Sequence, residues 1–425
     1  MARLARGGNL ADAGAGSRVT TPAPPRPIQV TDCSSQGALH GRVLELLERR
    51  TDANERFFGA EAERIARLCE LMAERFARGG RLLALGASPQ ARSDARHVAV
   101  EFVHPVIVGK RALPALALTG EGGQLGRQVE LLAEPDDIAI AFEVGDEVAA
   151  AVALARARGC VTVATTGAGA EWEFRSPGDD PFVHQELGET LYHVLWELVH
   201  VFLEHLGRSE RGGGASSFLY PFLDGEARDR EAVVADVRDS VLAKAAEIAG
   251  LRAETLHTSG DELWAAAGAI RGALDEGRTV LAFGNGGSAT DATDAVADFR
   301  AAPTGWPARR ALDLTEDGAI LTALANDIGA DAMFARQLIA YGRPGDIALA
   351  LSTSGNSTSI VAALREARRR GLVTVALVGY DGGQVASERL ADHVIVAPSE
   401  HIPRIQEAHA TALHVLRELV EVSGG

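Results

Sequence analysis

Short apolar runs alternate with long amphipathic segments along most of the chain. The apolar runs predict strands at 81–86, 137–141 and 159–164, and again at 279–284, 346–350 and 371–376. The amphipathic segments predict helices at 38–57, 60–79 and 185–206, and again at 229–249, 259–276 and 404–422. Strands without polar alternation that are separated by helices are typical of a parallel sheet covered on both faces.

The same succession of elements occurs twice, which indicates an internal duplication. The sequence therefore predicts an α/β protein with two tandem domains, each a parallel sheet flanked by helices on both faces, at 37–207 and 229–425. We call these the first half and the second half. Residues 1–36, rich in Gly, Ala, Ser and Pro, are predicted to be a disordered tail, and 208–228 a linker. A length of 425 residues fits two domains.

Charge and composition exclude several classes of function. The net charge is −16, from 42 basic and 58 acidic residues, which argues against nucleic-acid and anionic-membrane binding. No run of 18 apolar residues occurs, so we expect no transmembrane helix. Three cysteines cannot form a disulfide framework, and no apolar signal core follows the first residues. We therefore expect a cytoplasmic protein.

Two turns of the second half have the composition of phosphate-binding loops. The first, Gly284-Asn285-Gly286-Gly287-Ser288, joins a strand to a helix, where glycines let backbone amides approach an anion. The second, Ser352-Thr353-Ser354-Gly355-Asn356-Ser357, also joins a strand to a helix and adds four hydroxyls. Because ligands bind at the carboxyl ends of parallel strands, two such turns on successive strands predict an anion site.

These residues resemble a known family. The segments 281–299, 321–327 and 352–357, with Arg404-Ile405-Gln406-Glu407-Ala408-His409 and His414, are similar to sugar isomerase (SIS) domains. Among these domains they look most like phosphoheptose isomerases, and the first half looks like a diverged copy. The resemblance implies aldose–ketose isomerisation of a phosphosugar such as sedoheptulose 7-phosphate through an enediol. It also implies a zinc ion in many members, and a homo-oligomer, here a dimer of tandem chains.

The resemblance assigns site residues in the second half. Phosphosugar-binding positions are Asn285, Gly286, Ser288, Asn326, Asp327, Ser352, Thr353, Ser354, Ser357 and Gln406. Catalytic positions are Asp298 and His414, where Asp298 replaces the family's glutamate and Asp294 replaces its histidine. The two aspartates are four residues apart, so they share one helix face. Aspartate is one methylene shorter than glutamate, and general-base catalysis depends on reach.

The first half has the family's metal-ligand residues at the positions where the second half has replacements. His97, Glu101, Gln185 and His193 match the family's four metal-ligand positions, and Glu101 and His193 match its acid–base pair. The alternative metal set is Asp294, Asp298, Gln406 and His414. In the first half, however, the serine loop has become Phe142-Glu143-Val144-Gly145-Asp146-Glu147, whose acids would repel a phosphate.

The halves thus divide the site between them. We expect a composite site in which His97, Glu101 or His193 reaches a ligand held by Ser352–Ser357. The leading function is a phosphosugar isomerase. The alternative is a non-catalytic SIS accessory or regulatory protein that binds a phosphosugar or a metal centre, for example in metalloenzyme maturation.

Overall fold

The computed structural model describes residues 33–106, 110–120, 124–211, 230–302 and 305–422. The predicted tail lies outside the described residues up to residue 32, and the predicted linker lies outside them from residue 212 onward. Residues 40–425 form one compact unit that contains both halves. Among the described residues, no helix is long and apolar enough to cross a membrane.

The first half consists of one long helix followed by alternating strands and helices. Its elements are α1 Cys33–Ala77, β1 Leu82–Leu85, α2 Pro89–Val103, β2 Ala115–Leu118, α3 Leu125–Leu132, β3 Ile138–Ala141, α4 Asp146–Ala157, β4 Val161–Ala164, β5 Trp172–Glu173 and α5 Pro181–Arg211.

The second half repeats this succession after two helices. Its elements are α6 Arg230–Thr258, α7 Gly260–Asp275, β6 Val280–Phe283, α8 Gly287–Arg300, β7 Ala311–Asp313, α9 Gly318–Asp327, a 3-10 turn Ala330–Ala332, α10 Met333–Tyr341, β8 Ile347–Ser352, α11 Thr358–Arg369, β9 Val373–Gly379, α12 Gly383–Ser387, β10 His393–Ala397 and α13 Ile402–Val422.

Two five-stranded sheets confirm the predicted architecture. Their orders are β2-β1-β3-β4-β5 and β7-β6-β8-β9-β10, and the paired strands are parallel in both. At the carboxyl ends, Leu85 pairs with Ala141 in the first sheet, and Phe283 pairs with Ala350 in the second. The loops that leave β1 and β3 therefore lie side by side, as do those that leave β6 and β8.

The prediction of two separate helices at 38–57 and 60–79 is wrong, because α1 is continuous. Its Val43 and Leu46 belong to the core of the second half, whereas Phe57 and Phe76 belong to the core of the first. Packing between Val43 and Phe76 outweighs the cost of about 1 kcal/mol for Gly59 in the helix interior.

Helix α6 mirrors this arrangement. Val233 and Val241 lie in the core of the first half, and Leu256 lies in the core of the second. Each half therefore begins with a helix that packs partly on the other half, through Val43 and Leu46 in α1 and through Val233 and Val241 in α6. This exchange of helices fixes the two halves against each other and positions the residues at their contact.

Candidate functional site

Four helices meet where the two halves are in contact. Helix α2 packs against α8, while α5 and α13 pack against each other and against α2 and α8, respectively. The hydroxyl of Ser93 on α2 donates a hydrogen bond of 2.7 Å to the carbonyl oxygen of Thr290 on α8. These four helices carry the predicted acid–base and metal-type residues, which form two separate clusters.

The histidine cluster consists of His97, Glu101, His193 and Gln406. Nε2 of His97 lies 3.1 Å from Nε2 of Gln406 and 3.9 Å from Oε1 of Glu101. The rings of His97 and His193 lie 5.1 Å apart, centre to centre. All four side chains are buried, and Glu189 offers a further carboxylate to the two histidines.

The aspartate cluster consists of Asp294, Asp298, His414 and Gln185. Nε2 of His414 lies 3.5 Å from Oδ2 of Asp298 and 3.9 Å from Oδ2 of Asp294. Nε2 of Gln185 donates a hydrogen bond of 2.6 Å to Oδ1 of Asp294. The ring of Phe182 stacks on His414, with the ring centres 4.6 Å apart.

The two glutamines are grouped differently in the structure and in the sequence-based sets. The sequence groups Gln185 with His97 and Gln406 with Asp294, whereas in the structure each glutamine contacts the cluster of the other half. On each last helix the glutamine precedes the histidine by eight residues, or about 12 Å of helix. Since α5 and α13 pack against each other, the histidine stays with its own half and the glutamine reaches the other half.

Two glutamates that the sequence analysis did not single out orient the histidines. Nδ1 of His193 lies 3.0 Å from Oε1 of Glu407, and Nδ1 of His414 lies 2.9 Å from Oε1 of Glu186. Each glutamate belongs to the half opposite its histidine. A usable signal existed, because each glutamate directly follows the matching glutamine in both repeats.

Buried charges explain why these glutamates stay ionised. Burial opposes ionisation of Glu407, but neighbouring Arg404 outweighs it and holds the pKa of Glu407 below its usual value. Burial likewise opposes ionisation of Glu186, and Arg50 followed by His414 holds its pKa far below the usual value. Each carboxylate therefore accepts a hydrogen bond from Nδ1 of its histidine and leaves Nε2 facing the cluster.

The histidine cluster contains polar atoms without partners. Among the described residues, Oε2 of Glu101, Nε2 of His193 and Oε1 of Gln406 are buried and make no hydrogen bond. Burial, followed by the charge of His193, holds the pKa of His97 well below its usual value. Burial also raises the pKa of Glu101. A neutral imidazole, a carboxyl group suited to proton transfer and three unpaired atoms make this a place for a polar ligand or a cation.

The aspartate cluster has a different electrostatic character. Burial, followed by the charge of Asp298, raises the pKa of Asp294 to about 7. Burial also raises the pKa of Asp298. For His414, burial would lower the pKa, but the hydrogen bond to Glu186 and the charge of Asp298 raise it. This cluster therefore combines closely spaced carboxyl groups with an imidazole that favours its charged form.

The two phosphate-type turns of the second half lie together and remain open to an anion. Gly286 has φ 56° and precedes α8, whose N-terminus has no side-chain cap. Ser357 precedes α11 and its side chain makes no capping bond either. Nδ2 of Asn285 donates to Oγ of Ser359 at 3.0 Å, which ties the two turns together. Free amides at two helix N-termini, together with serine hydroxyls, are typical of a phosphate cradle.

This cradle lies against the histidine cluster of the other half. A Cβ atom on Gly287 would overlap Nε2 of Gln406 and would lie 2.9 Å from Nε2 of His97. Gly287 directly precedes Ser288, which lies in the first turn of α8 and is buried. The first turn of α8, which carries Ser288, therefore lies next to His97 of the first half.

In the first half an internal carboxylate takes the place of the anion. Oε1 of Glu143 accepts a hydrogen bond of 2.5 Å from the amide of Ala87, and Oε2 accepts one of 2.9 Å from the amide of Ser88. The hydroxyl of Ser88 also caps Ala91. The sequence predicts that acids in this loop repel a phosphate, and in the structure the carboxylate of one of them, Glu143, occupies the anion position itself.

The turn of the first half also closes onto the aspartate cluster. An added Cβ on Gly86 would overlap the backbone carbonyl of Ala91, and an added Cβ on Gly284 would overlap that of Ser288. Ala91 is therefore the counterpart of Ser288. Gln90, which precedes Ala91, is the counterpart of Gly287. Nε2 of Gln90 lies 3.4 Å from Oδ1 of Asp298. The Gln90 side chain thus extends toward Asp298 from the position where the second half has Gly287.

Two of the predicted phosphosugar-binding residues are Asn326 and Asp327, at the end of α9. Both are exposed and are joined to each other by a hydrogen bond of 2.7 Å. Among the described residues, no hydrogen bond connects them to the cradle, and their role in phosphosugar binding stays a prediction.

Comparisons with known proteins identify relatives of this chain. The family model of the SIS domain matches residues 245–379. A phosphoheptose isomerase of Aquifex aeolicus is 45% identical over 159 residues, which are 36% of this chain and 81% of that protein. A phosphoheptose isomerase of Chlorobaculum tepidum is 45% identical over 177 residues, which are 41% of this chain and 84% of that protein.

A solved structure extends the likeness to both halves. The C-terminal domain of glucosamine-fructose-6-phosphate aminotransferase from Francisella tularensis superposes with a TM-score of 0.54. It is 10% identical and covers 89% of this chain and 95% of that chain, so the likeness concerns the fold alone. The chain therefore belongs to the family of SIS domain proteins that includes phosphoheptose isomerase.

Proposed function

We propose that the protein is a phosphosugar isomerase of the sedoheptulose 7-phosphate type, with one working site per chain. The observation that carries this proposal is the contact of Gly287 in the cradle with Gln406 and His97 in the histidine cluster. Phosphate would be held by Ser288 and by the loop Ser352–Ser357, and proton transfer would be performed by Glu101 and His193. The site is then composite, with the two functions supplied by different halves.

Each residue has a definite role in this mechanism. The amides and hydroxyls of the cradle bind the phosphate and place the sugar carbon chain toward the histidine cluster. Glu101, whose buried carboxyl group has a raised pKa, takes the proton from one carbon and returns it to its neighbour through an enediol. Nε2 of His193 receives the proton of a substrate hydroxyl, since Nδ1 donates to Glu407 and the lone pair of Nε2 stays free. In a zinc-bound chain that lone pair would hold the metal instead. Burial excludes water from the enediol.

The donor set of the histidine cluster fits zinc. His97 and His193 provide imidazole nitrogens, Glu101 a carboxylate and Gln406 an amide oxygen, and three of these residues carry a buried atom without a partner. A bound zinc ion would polarise the substrate carbonyl. We propose these four residues, with Gln406 in place of Gln185, as its ligands.

The aspartate cluster is a poor alternative for catalysis. Its neighbouring turn has no free anion site, because Glu143 accepts hydrogen bonds from the amides there. Gln90 also extends toward Asp298. We therefore assign the chemistry to Glu101 and His193 rather than to Asp298 and His414.

The experiment compares residues at equivalent positions of the two repeats. Turnover of sedoheptulose 7-phosphate is measured for Glu101→Gln and for its counterpart Asp298→Asn, with and without added zinc. We expect Glu101→Gln to lose on the order of 10²–10⁴-fold in kcat, and Asp298→Asn to stay within a few-fold of wild type. The opposite result would move the chemistry to the aspartate cluster. Saturable phosphosugar binding without turnover by the wild type would favour the non-catalytic binding protein.

A double-variant cycle tests the composite site. Ser354→Ala should weaken phosphosugar binding, whereas Glu101→Gln should abolish proton transfer. If both residues serve one substrate molecule, the double variant should be no slower than Glu101→Gln alone. Losses in kcat that multiply would show that the two residues contribute independently to the chemical step, which argues against a shared substrate. Asp298→Asn combined with Ser354→Ala is the matched control.

We also propose that the chain self-associates, as the family resemblance implies. Helix α9 supports this, because its sequence is apolar at Ala319, Ile320, Leu321, Ala323, Leu324 and Ala325, yet none of its residues is buried. A second copy is the occupant that we infer for this face. Sedimentation equilibrium should give a dimer for the wild type and a shift toward monomer for Leu321→Glu with Leu324→Glu.

A further inference from the structure

We propose that a cavity at the amino ends of the second sheet binds a diphosphate group, either as free pyrophosphate or within a nucleoside diphosphate. The cavity has a volume of about 470 Å³. Five arginines line it, and we therefore call it the arginine cavity: Arg278, Arg300, Arg309, Arg310 and Arg343. Guanidinium groups bind phosphate oxygens through pairs of parallel hydrogen bonds, which makes arginine well suited to phosphate recognition.

The arginine cavity lies at the edge of the sheet opposite the phosphate cradle. Val280 at the start of β6 pairs with Ala311 of β7 and with Ile347 of β8, so the loops that enter these three strands lie side by side. The cradle follows the other ends of β6 and β8. Helix α8 runs from the cradle to Arg300, a length of about 20 Å. The arginine cavity is therefore distinct from the proposed isomerase site.

Three arginines of the cavity have no carboxylate partner among the described residues. Nε of Arg300 donates a hydrogen bond of 2.8 Å to the backbone carbonyl of Ala311. The side chains of Arg310 and Arg343 are exposed and form no hydrogen bond or ion pair with the described part of the chain. Their guanidinium groups are therefore available to an anion from solution.

Arg278 adds a buried donor. Its Nε is buried, makes no hydrogen bond to any described residue, and lies 3.7 Å from the exposed carboxylate of Glu276. An added Cβ on Gly345 would lie 3.1 Å from this Nε, so the guanidinium packs against the turn that enters β8. A buried N–H group without a partner at the wall of a cavity indicates a missing acceptor.

The acids of the cavity do not cancel this positive charge. Asp346 is buried, and its carboxylate accepts hydrogen bonds from the backbone amides of Thr279 at 2.9 Å and Arg343 at 2.8 Å. Arg309 is neutralised by acids at the ends of α7 and α13. The other four arginines still outnumber the two lining acids, Glu276 and Asp346, although the chain as a whole has a net charge of −16. Such a local excess of positive charge attracts anions.

The first half has the same edge without these arginines. There Asp137 accepts a hydrogen bond from the backbone amide of Glu134, as Asp346 accepts one from that of Arg343. In the order of the five arginines, the equivalent residues of the first half are Gly80, Val103, Leu113, Pro114 and Glu134. The edge therefore folds without the arginines, which indicates that they serve binding.

The cavity also has room for an organic group beside the diphosphate. Leu281 and Leu312, which are paired in β6 and β7, contribute apolar surface to it. The side chain of Tyr341, at the end of α10, lines it and is exposed. An exposed aromatic ring offers a face on which a nucleobase can stack. A volume of about 470 Å³ lies within the usual range of small-molecule sites.

The test measures binding to the full-length protein by isothermal titration calorimetry, with pyrophosphate and with ADP at one ionic strength. We expect Arg310→Ala with Arg343→Glu to raise the Kd of one pyrophosphate site at least about tenfold, because two charged donors are lost. Glu134 at the equivalent position of the first half shows that glutamate is compatible with this turn. Arg56→Ala with Arg175→Glu makes the same change in net charge at two exposed arginines elsewhere and should keep the site.

Two single variants identify the ligand and its place. Tyr341→Ala should weaken ADP but not pyrophosphate if the ligand is a nucleoside diphosphate, and should weaken neither if it is free pyrophosphate. Ser354→Ala should keep the pyrophosphate site, because the cradle lies at the opposite edge of the sheet. Loss of the site in Ser354→Ala, with retention in the arginine variant, would place the anion in the cradle and overturn the proposal.

Chemical modification of the wild type gives a readout that does not depend on the folding of a variant. Phenylglyoxal modifies accessible arginines, and mass spectrometry of peptides locates them. Pyrophosphate should slow the modification of Arg310 and Arg343 and leave that of Arg56 unchanged. Equal modification with and without pyrophosphate, or no saturable binding of pyrophosphate or ADP, would overturn the proposal. Because no readout depends on turnover, the outcome is separate from that of the isomerase assay.

Discussion

Oε1 of Glu407 lies 3.0 Å from Nδ1 of His193, and the two residues belong to different halves of the chain. The same bond occurs in mirror form between Glu186 and His414, at 2.9 Å. Each histidine is thus held by a carboxylate from the opposite repeat. The contact between the halves is therefore part of the site, because it fixes which nitrogen of each imidazole faces the ligand.

The first prediction concerns Glu407. Glu407→Gln keeps the size of the side chain but removes the charge that holds the proton on Nδ1 of His193. We expect kcat to fall about 10–100-fold, with little change in KM, because the phosphate cradle is untouched. Steady-state kinetics on sedoheptulose 7-phosphate give both values.

The matched control is Glu186→Gln, the equivalent change at the other histidine. If the histidine cluster performs the chemistry, this variant should stay within a few-fold of wild-type kcat. Equal losses in both variants would mean that the glutamates act on the stability of the contact between the halves and not on His193. Unfolding curves for both variants separate these effects.

The second prediction concerns the glycine between the cradle and the cluster. A Cβ on Gly287 would overlap Nε2 of Gln406, so Gly287→Ala should displace Gln406 and lose both activity and stability, the latter by about 1–3 kcal/mol. Gly268→Ala is the control, since Gly268 lies in α7 with no atom within 4 Å of an added Cβ. That change should stabilise the protein by about 0.5–1 kcal/mol. Urea unfolding measures both.

Much of the fold follows from local pattern. Uninterrupted apolar runs such as 279–284 predict buried strands, and the repeat of strands and helices predicts two parallel sheets. The break expected near residue 58 is absent, because the signal for a helix end was local and the packing that keeps α1 continuous comes from the other half. Local sequence cannot report contacts that distant.

The candidate site was predictable in its residue types but not in its pairing. The motif positions His97, Glu101 and His193 could be identified from their register in the repeat. Which glutamine joins them depends on how α5 packs against α13, and that contact brings Gln406 to His97 over 309 positions of sequence. The spacing of the glutamine and the histidine within one helix gives no information about which residues of another helix they contact.

The third prediction concerns the internal carboxylate of the first half. Glu143→Ala frees the amides of Ala87 and Ser88, so sulfate or phosphate should bind where the carboxylate lay. We expect a loss of stability of about 1–2 kcal/mol that added sulfate restores in a concentration-dependent way. Thermal unfolding with increasing sulfate measures this.

Asp146→Asn controls for charge at the same loop, since Asp146 lies in the first turn of α4 and is exposed. It should gain no response to sulfate beyond that of the wild type. If sulfate stabilises Glu143→Ala no more than it stabilises Asp146→Asn, the backbone of this turn, and not the carboxylate of Glu143, prevents anion binding in the first half.

The fourth prediction concerns pH and the chain of ions formed by Glu197, Arg404 and Glu407, of which Glu407 contacts His193. Oε1 of Glu197 accepts a hydrogen bond of 2.8 Å from Arg404, which donates another of 2.8 Å to Glu407. Burial opposes ionisation of Glu197, but Arg404 and then Lys244 lower its pKa from 4.5 to about 2. Between these two values the unfolded chain binds more protons than the folded one, so stability falls as pH falls through this window.

Glu197→Gln removes this contribution. The difference in the free energy of unfolding between wild type and variant should be largest above pH 5, at up to about 3 kcal/mol, and should shrink as the pH falls toward 3. Urea unfolding from pH 3 to 7 measures it, with the exposed Glu254→Gln as a control that removes one carboxylate outside the chain of ions. A difference that does not depend on pH would show that Glu197 contributes by packing, and that its charge does not support the Arg404–Glu407 pair behind His193.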